Sequence, residues 1–104
     1  MIHVTDETFQ EVLTSKPYVV MDFAAAWCGP CKSLAPVVEK LEGEFGEKVA
    51  FGKVDIEECV DSTNEFGIRS VPTLVLFKNG EKVEKIVGAV PEAKLREAIN
   101  KLMA

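Results

Sequence analysis

Two of the chain's three cysteines, Cys28 and Cys31, stand two residues apart in the stretch AAAWCGPCK, directly behind its single tryptophan, Trp27. Three chemistries fit such a pair: a structural disulfide, half of a tetrahedral zinc site, or a dithiol that exchanges with other disulfides. Zinc requires a second pair of ligands, and the remaining candidates, Cys59 and His3, fall in no Cys-x-x-Cys or His-x-x-x-His spacing. A static bridge would close only the loop formed by Gly29 and Pro30, where the entropic gain is least. Exchange chemistry is the reading that the pair supports best.

That chemistry needs a nucleophilic sulfur, and the residues that follow supply the means. Cys31, Leu34, Ala35, Val38, Leu41 and Phe45 form an apolar stripe at helical spacing that runs to Gly46. Pro36 lies inside this stripe and is expected to kink the helix. Cys28 then falls at the helix N-terminus, where unpaired N–H groups and the positive end of the dipole stabilise a thiolate and lower its pKa from about 8.5. Residues three apart on a helix have Cβ atoms roughly 5–6 Å apart, a small adjustment from the roughly 3.5–4.5 Å of a disulfide. The pair is therefore expected to close and reopen without unfolding. Gly29 is expected to allow a tight turn into the helix, and Pro30 to suit its first turn, where no backbone donor is needed. Trp27 supplies a flat apolar surface near the attacking sulfur.

The elements that must position this pair follow from periodicity. After a short IHV start, Thr5 and Asp6 are expected to cap a helix that buries Phe9, Val12 and Leu13. YVVMDFA and VAFGKVDI read as buried strands, and EECVDSTNEF as a short helix ended by Gly67. Pro72 opens a third run, TLVLF, and Asn79-Gly80 joins it to KVEKIVG as a hairpin. Pro91 begins a closing helix that buries Leu95, Ala98, Ile99 and Leu102. The order β-α-β-α-β-α-β-β-α predicts an α/β fold, a central mixed sheet of four to five strands flanked by helices on both faces. The cysteines sit where a central strand gives way to a helix, the usual place for a site in an open α/β sheet.

Length and composition set limits on the function. At 104 residues the chain is expected to form one domain, residues 1–104, with one core and one main site. A 47% hydrophobic and 28% charged composition is that of a soluble globular protein, large enough to need no disulfide framework. The net charge of −5, with lysines spread singly, argues against nucleic-acid or anionic-membrane partners. MIHVTDETF has no basic start followed by a long apolar segment, and no apolar run approaches a membrane span, so the expected compartment is cytoplasmic.

With these features in place the sequence resembles the thioredoxin family. WCGPCK (Trp27–Lys32) matches the family's active-site motif, VPT (Val71–Thr73) the proline loop facing it, FKNG (Phe77–Gly80) the hairpin, and Gly88 the glycine lining the substrate groove. The likeness runs from about Asp6 to Leu102 and implies a thioredoxin fold. It implies a protein-disulfide reductase in which Cys28 is the nucleophile and Cys31 the resolving thiol, with no bound cofactor or metal beyond the redox-active disulfide. A thioredoxin reductase, backed by NADPH or ferredoxin, would supply electrons to a monomer that passes them to protein disulfides.

The resemblance also assigns supporting roles. By pattern alone Asp22 is either an exposed strand-end carboxylate or a buried one with a raised pKa. The family implies burial and service as proton acceptor for Cys31, with Lys53 as electrostatic partner. It further implies a cis Val71-Pro72 bond against the cysteines, with the Val71 backbone free to pair with an extended substrate segment. Cys59 has no counterpart in the family's motif and reads as a passive small residue, or else as a thiol for intermolecular bonding or regulation. Many members carry an aromatic residue at the position of Ala24, where this chain has the first of three alanines. Two rival functions remain: an oxidant or isomerase on the same fold, and a redox-independent binding module using the groove around Trp27, Pro72 and Gly88.

Overall fold

The computed structural model describes residues 1–104. Five strands, β1 (Ile2–Val4), β2 (Tyr18–Ala24), β3 (Val49–Asp55), β4 (Thr73–Lys78) and β5 (Glu81–Val87), form one sheet in the order β1-β3-β2-β4-β5. β1 and β2 both run parallel to β3, and β4 is antiparallel to β2 and β5. Four helices, α1 (Phe9–Leu13), α2 (Gly29–Phe45), α3 (Val60–Glu65) and α4 (Glu92–Met103), complete the chain.

Strand alternation divides the interior into two cores. Val20, Phe51, Leu74 and Leu76 point to the face covered by Leu34, Val38 and Leu41 of α2 and by Leu95 and Ile99 of α4. Val19, Met21, Phe23, Ala50, Val75 and Phe77 point to the opposite face, against Phe9, Val12 and Leu13 of α1 and Cys59 beside α3. Period-two side chains on fully covered central strands explain why β2 reads as an almost continuous apolar run. Arg96 of α4 forks onto Glu44 of α2 and also pairs with Glu92, so an exposed ion cluster ties the two helices of the first face together.

The turns follow their residue types. Asn79 (φ 52°) and Gly80 (φ 82°) both take positive φ, the hairpin geometry that Asn-Gly favours. Gly67 (φ 62°) ends α3. α2 runs through Pro36 without ending there. One expectation is corrected in part: the N-cap of α1 is Thr8, whose side chain makes no cap bond, while Thr5 exchanges side-chain hydrogen bonds with Thr8 in the turn leading into the helix and Asp6 takes no part there. Asp6 instead crosses to α3, accepting from the backbone N–H groups of Asp61 and Ser62 and from the Ser62 hydroxyl. A carboxylate satisfies whichever unpaired helix donors the fold brings to it, and these are 55 and 56 residues away.

Gly52 shows how closely the second core is packed. A Cβ there would stand 2.7 Å from a Val4 methyl and 2.8 Å from the Met21 sulfur, both fully buried. Gly52→Ala is expected to lower stability by about 1–3 kcal/mol, the usual range for overpacking. Equilibrium urea denaturation checks this, and an unchanged midpoint would show that β1 yields freely.

Candidate active site

The two neighbouring parallel strands β2 and β3 end side by side at Ala24 and Asp55, and the chain turns from Ala24 into α2 within four residues. Cys28 is the N-cap of α2, in extended backbone conformation (φ −87°, ψ 112°). Its sulfur occupies the place a serine or aspartate oxygen usually takes, accepting the Cys31 N–H at 3.1 Å. Pro30 stands in the first turn, as expected. Gly29 is a correction: it is not among the positive-φ glycines, and a Cβ there would meet nothing within 4 Å. The turn does not itself require glycine at this position.

Cys28 and Cys31 are joined by a disulfide with their Cα atoms 5.3 Å apart, so the i, i+3 spacing closes the ring on a helical backbone. The two are similarly covered, 4% and 7% exposed, and pack with Ala24 and Ala25 against half-buried Ile56 and Val71. Exposure therefore does not tell them apart. Their hydrogen bonding does, because only the Cys28 sulfur accepts an N–H of the first helical turn.

The second wall is the loop before β4. The Val71-Pro72 bond is cis, Pro72 is buried, and the Val71 carbonyl oxygen lies 3.7 Å from the Cys28 sulfur. Gly88 (φ 93°) donates its N–H to the Pro72 carbonyl at 2.9 Å, which joins the end of β5 to this loop. Trp27 is 65% exposed beside the pair, an unusual share for the largest apolar side chain. Cys28, Cys31, Val71, Pro72 and Gly88 are thus brought together from three separate segments.

Asp22 lies on β2 with the parity of Val20, so it points to the face that α2 covers. It is buried, 4% exposed, and its Oδ1 has no hydrogen-bond partner. Burial raises its pKa from 3.8 to about 6, against the opposing pull of the Lys53 charge. The pattern-based choice between an exposed and a buried carboxylate is thereby decided. Lys53 stands opposite Asp22 in the β2/β3 register but is itself exposed, and no ion pair joins the two. Its influence is that of a nearby charge, not of a bonded partner.

The remaining candidates lie elsewhere. Cys59 is wholly buried in the second core, where its thiol donates to the Val4 carbonyl at 3.3 Å. Burial, with the nearby carboxylates of Asp6, Glu58 and Asp55, pushes its pKa up to about 11, so it stays a thiol. His3 is on the surface with Glu58. No group of three His, Cys, Asp or Glu side chains is arranged to hold a metal ion. Sequence reasoning overlooked Ala25 and Ile56, which pack on the cysteines; the available signal was that Ile56 directly follows the end of β3, beside the end of β2.

Comparison with known proteins agrees with this geometry. The family model described as Thioredoxin matches residues 1–101. Thioredoxin 1 of Nostoc sp. is 46% identical over 99 residues, covering 94% of this chain and 92% of that protein. Thioredoxin of Bacillus subtilis is 43% identical over 101 residues, covering 97% and 96%. Among solved structures, a mutant thioredoxin from Halobacterium salinarum superposes with a TM-score of 0.92 at 38% identity, covering 99% of this chain and 90% of the other.

Proposed function

The chain belongs to the thioredoxin family and is a thiol–disulfide oxidoreductase whose redox group is the Cys28–Cys31 pair, and from that premise we propose that it works as a general reductant of protein disulfides. The observation that carries this reading is the Cys28 sulfur acting as N-cap of α2, where the Cys31 N–H favours its thiolate.

In the proposed cycle, reduced Cys28 attacks a substrate disulfide and forms a mixed disulfide while one substrate sulfur leaves as a thiolate. Asp22, with its raised pKa, takes the proton from Cys31. The Cys31 thiolate attacks the Cys28 sulfur, the substrate leaves reduced, and the Cys28–Cys31 disulfide forms. Val71, Pro72, Gly88 and Trp27 form the surface that receives an extended substrate segment through backbone pairing, which gives affinity with little sequence preference. A thioredoxin reductase restores the dithiol. In this reading the protein is a cytoplasmic monomer.

The test is the equilibrium reduction potential of the pair. The expected value lies below about −230 mV, the lower end for glutaredoxins, and not near the about −180 mV of an isomerase. A value at or above the isomerase figure would reverse the direction of transfer and make the protein an oxidant or isomerase. Buried Cys59 should contribute nothing, so Cys59→Ser is expected to return the same potential.

A further inference from the structure

Three polar or charged residues are buried in this protein: Asp22, Ser62 and Thr73. Asp22 serves the proposed proton transfer, and Ser62 meets the Asp6 carboxylate at the start of α3. Thr73 is the third, 2% exposed, and opens β4 directly after Pro72. Its backbone is held within the sheet, opposite Phe23 of β2 on one side and Val87 of β5 on the other. A buried hydroxyl needs a hydrogen-bond partner. This one reaches back out of the strand and donates to the Ser70 carbonyl at 2.7 Å, spanning Val71 and Pro72.

That bond stands almost alone in its stretch. Arg69, Ser70 and Val71 make no backbone–backbone hydrogen bond; Ile68 before them donates to the Thr63 carbonyl, and the Pro72 carbonyl after them accepts the Gly88 N–H. Between those two ties the loop has only the Thr73 hydroxyl on Ser70 and the Cys28 sulfur beside the Val71 carbonyl, and that sulfur carries no proton in the disulfide. The N–H and C=O of Val71 are thus left for an incoming strand. We infer that Thr73 is a positioning residue: by tying the Ser70 carbonyl to the sheet, its hydroxyl holds the free backbone groups of Val71 in place beside the cysteine pair for a substrate segment. A loop without that tie has to be ordered at each binding event, which lowers affinity.

This rests on the reading that an extended substrate segment pairs with Val71. A β-branched residue suits a strand whether or not it carries a hydroxyl. Valine would fill the place equally well, so the hydroxyl has a role separate from the strand. Thr73 hydrogen-bonds to neither cysteine. Its loss therefore acts on the binding of a peptide segment and not on the sulfur chemistry.

Two variants test this. Thr73→Val removes the donor and keeps the shape, and Thr73→Ser keeps the donor and loses the methyl. With insulin as substrate, Thr73→Val is expected to raise KM about threefold to tenfold, the fold-change that one hydrogen bond is worth. Its kcat should change by less than about twofold, the pattern of lost binding. The rate with hydroxyethyl disulfide, which has no peptide backbone to pair, should change less than kcat/KM for insulin. Thr73→Ser should return KM to the value of the parent. A Thr73→Val KM equal to that of the parent, a Thr73→Ser protein as impaired as Thr73→Val, or an equal loss with hydroxyethyl disulfide would each overturn the proposal. Backbone nitrogen relaxation of the oxidised parent tests the same point without a variant. The amides of Ser70 and Val71 are expected to show order parameters of about 0.85, as in rigid backbone, and values below about 0.6 would show that the bond does not hold the loop. Insulin reduction by the parent separates the two possible failures. Turnover with an unchanged KM in Thr73→Val removes this inference alone, while no turnover removes the function on which it rests.

Discussion

Cys31→Ser is expected to turn the reductant into a trap. The Cys28 thiolate keeps its stabilising contact, because the donor is the backbone N–H of residue 31 and not its side chain. Attack on a substrate disulfide therefore proceeds, but the mixed disulfide has no neighbouring thiol to resolve it. Turnover with insulin should fall at least about 10³-fold, the scale on which covalent mechanisms fail when an essential group is removed. One equivalent of substrate should remain bound and be released by dithiothreitol. Cys28→Ser should lose the same turnover without retaining protein substrate. If the two variants trap protein substrate equally, the assignment of Cys28 as first nucleophile is wrong.

Asp22→Asn should produce the second large effect, in stability. The carboxyl has a pKa of about 6 in the folded protein against an ordinary 3.8, so between those values the folded state holds a proton that the unfolded chain gives up. Stability contributed by this group is complete below about pH 4, falls as the pH rises towards 6, and is lost above it. The raised pKa converts to about 3 kcal/mol. Removing the ionisation should make the variant more stable than the parent by about 2–3 kcal/mol at pH 8, a rise in Tm on the order of 10 °C, and little different at pH 4. The functional counterpart is slower substrate release and loss of the inflection near pH 6 in the reduction rate. Parallel stability curves for the two proteins from pH 4 to 8 would show that Asp22 is solvated.

The stability of the parent is thus expected to be limited by a group that the proposed mechanism uses. A buried carboxyl with an unpartnered oxygen is costly in its charged form. The same burial brings its pKa close to neutrality, where proton transfer to and from a thiol is most effective.

The amino-acid sequence by itself determined the order of elements, the helix start at the cysteine pair, the Asn79-Gly80 hairpin and the two buried central strands. Each of these rests on local spacing: apolar periods of 2 or 3.6, a proline in a first turn, residues tolerant of positive φ. The exchange chemistry was legible for the same reason, since a Cys-x-x-Cys pair at a helix N-terminus carries its geometry in the sequence. Local spacing misled where a glycine or a cap had more than one use. Gly29 occupies a place that another residue could fill, and Asp6 caps a helix far along the chain.

What only the tertiary structure decided concerns groups brought together from distant segments. Burial of Asp22, the isolation of Cys59 in the second core and the lack of direct pairing between Lys53 and Asp22 depend on which helix covers which sheet face. The approach of Val71 to Cys28 depends on the 42 residues between them, through α2, β3 and α3, bringing the loop before β4 back to the start of α2. Desolvation and charge act through space, so their strength is set by the packed neighbours and not by the order of residues along the chain.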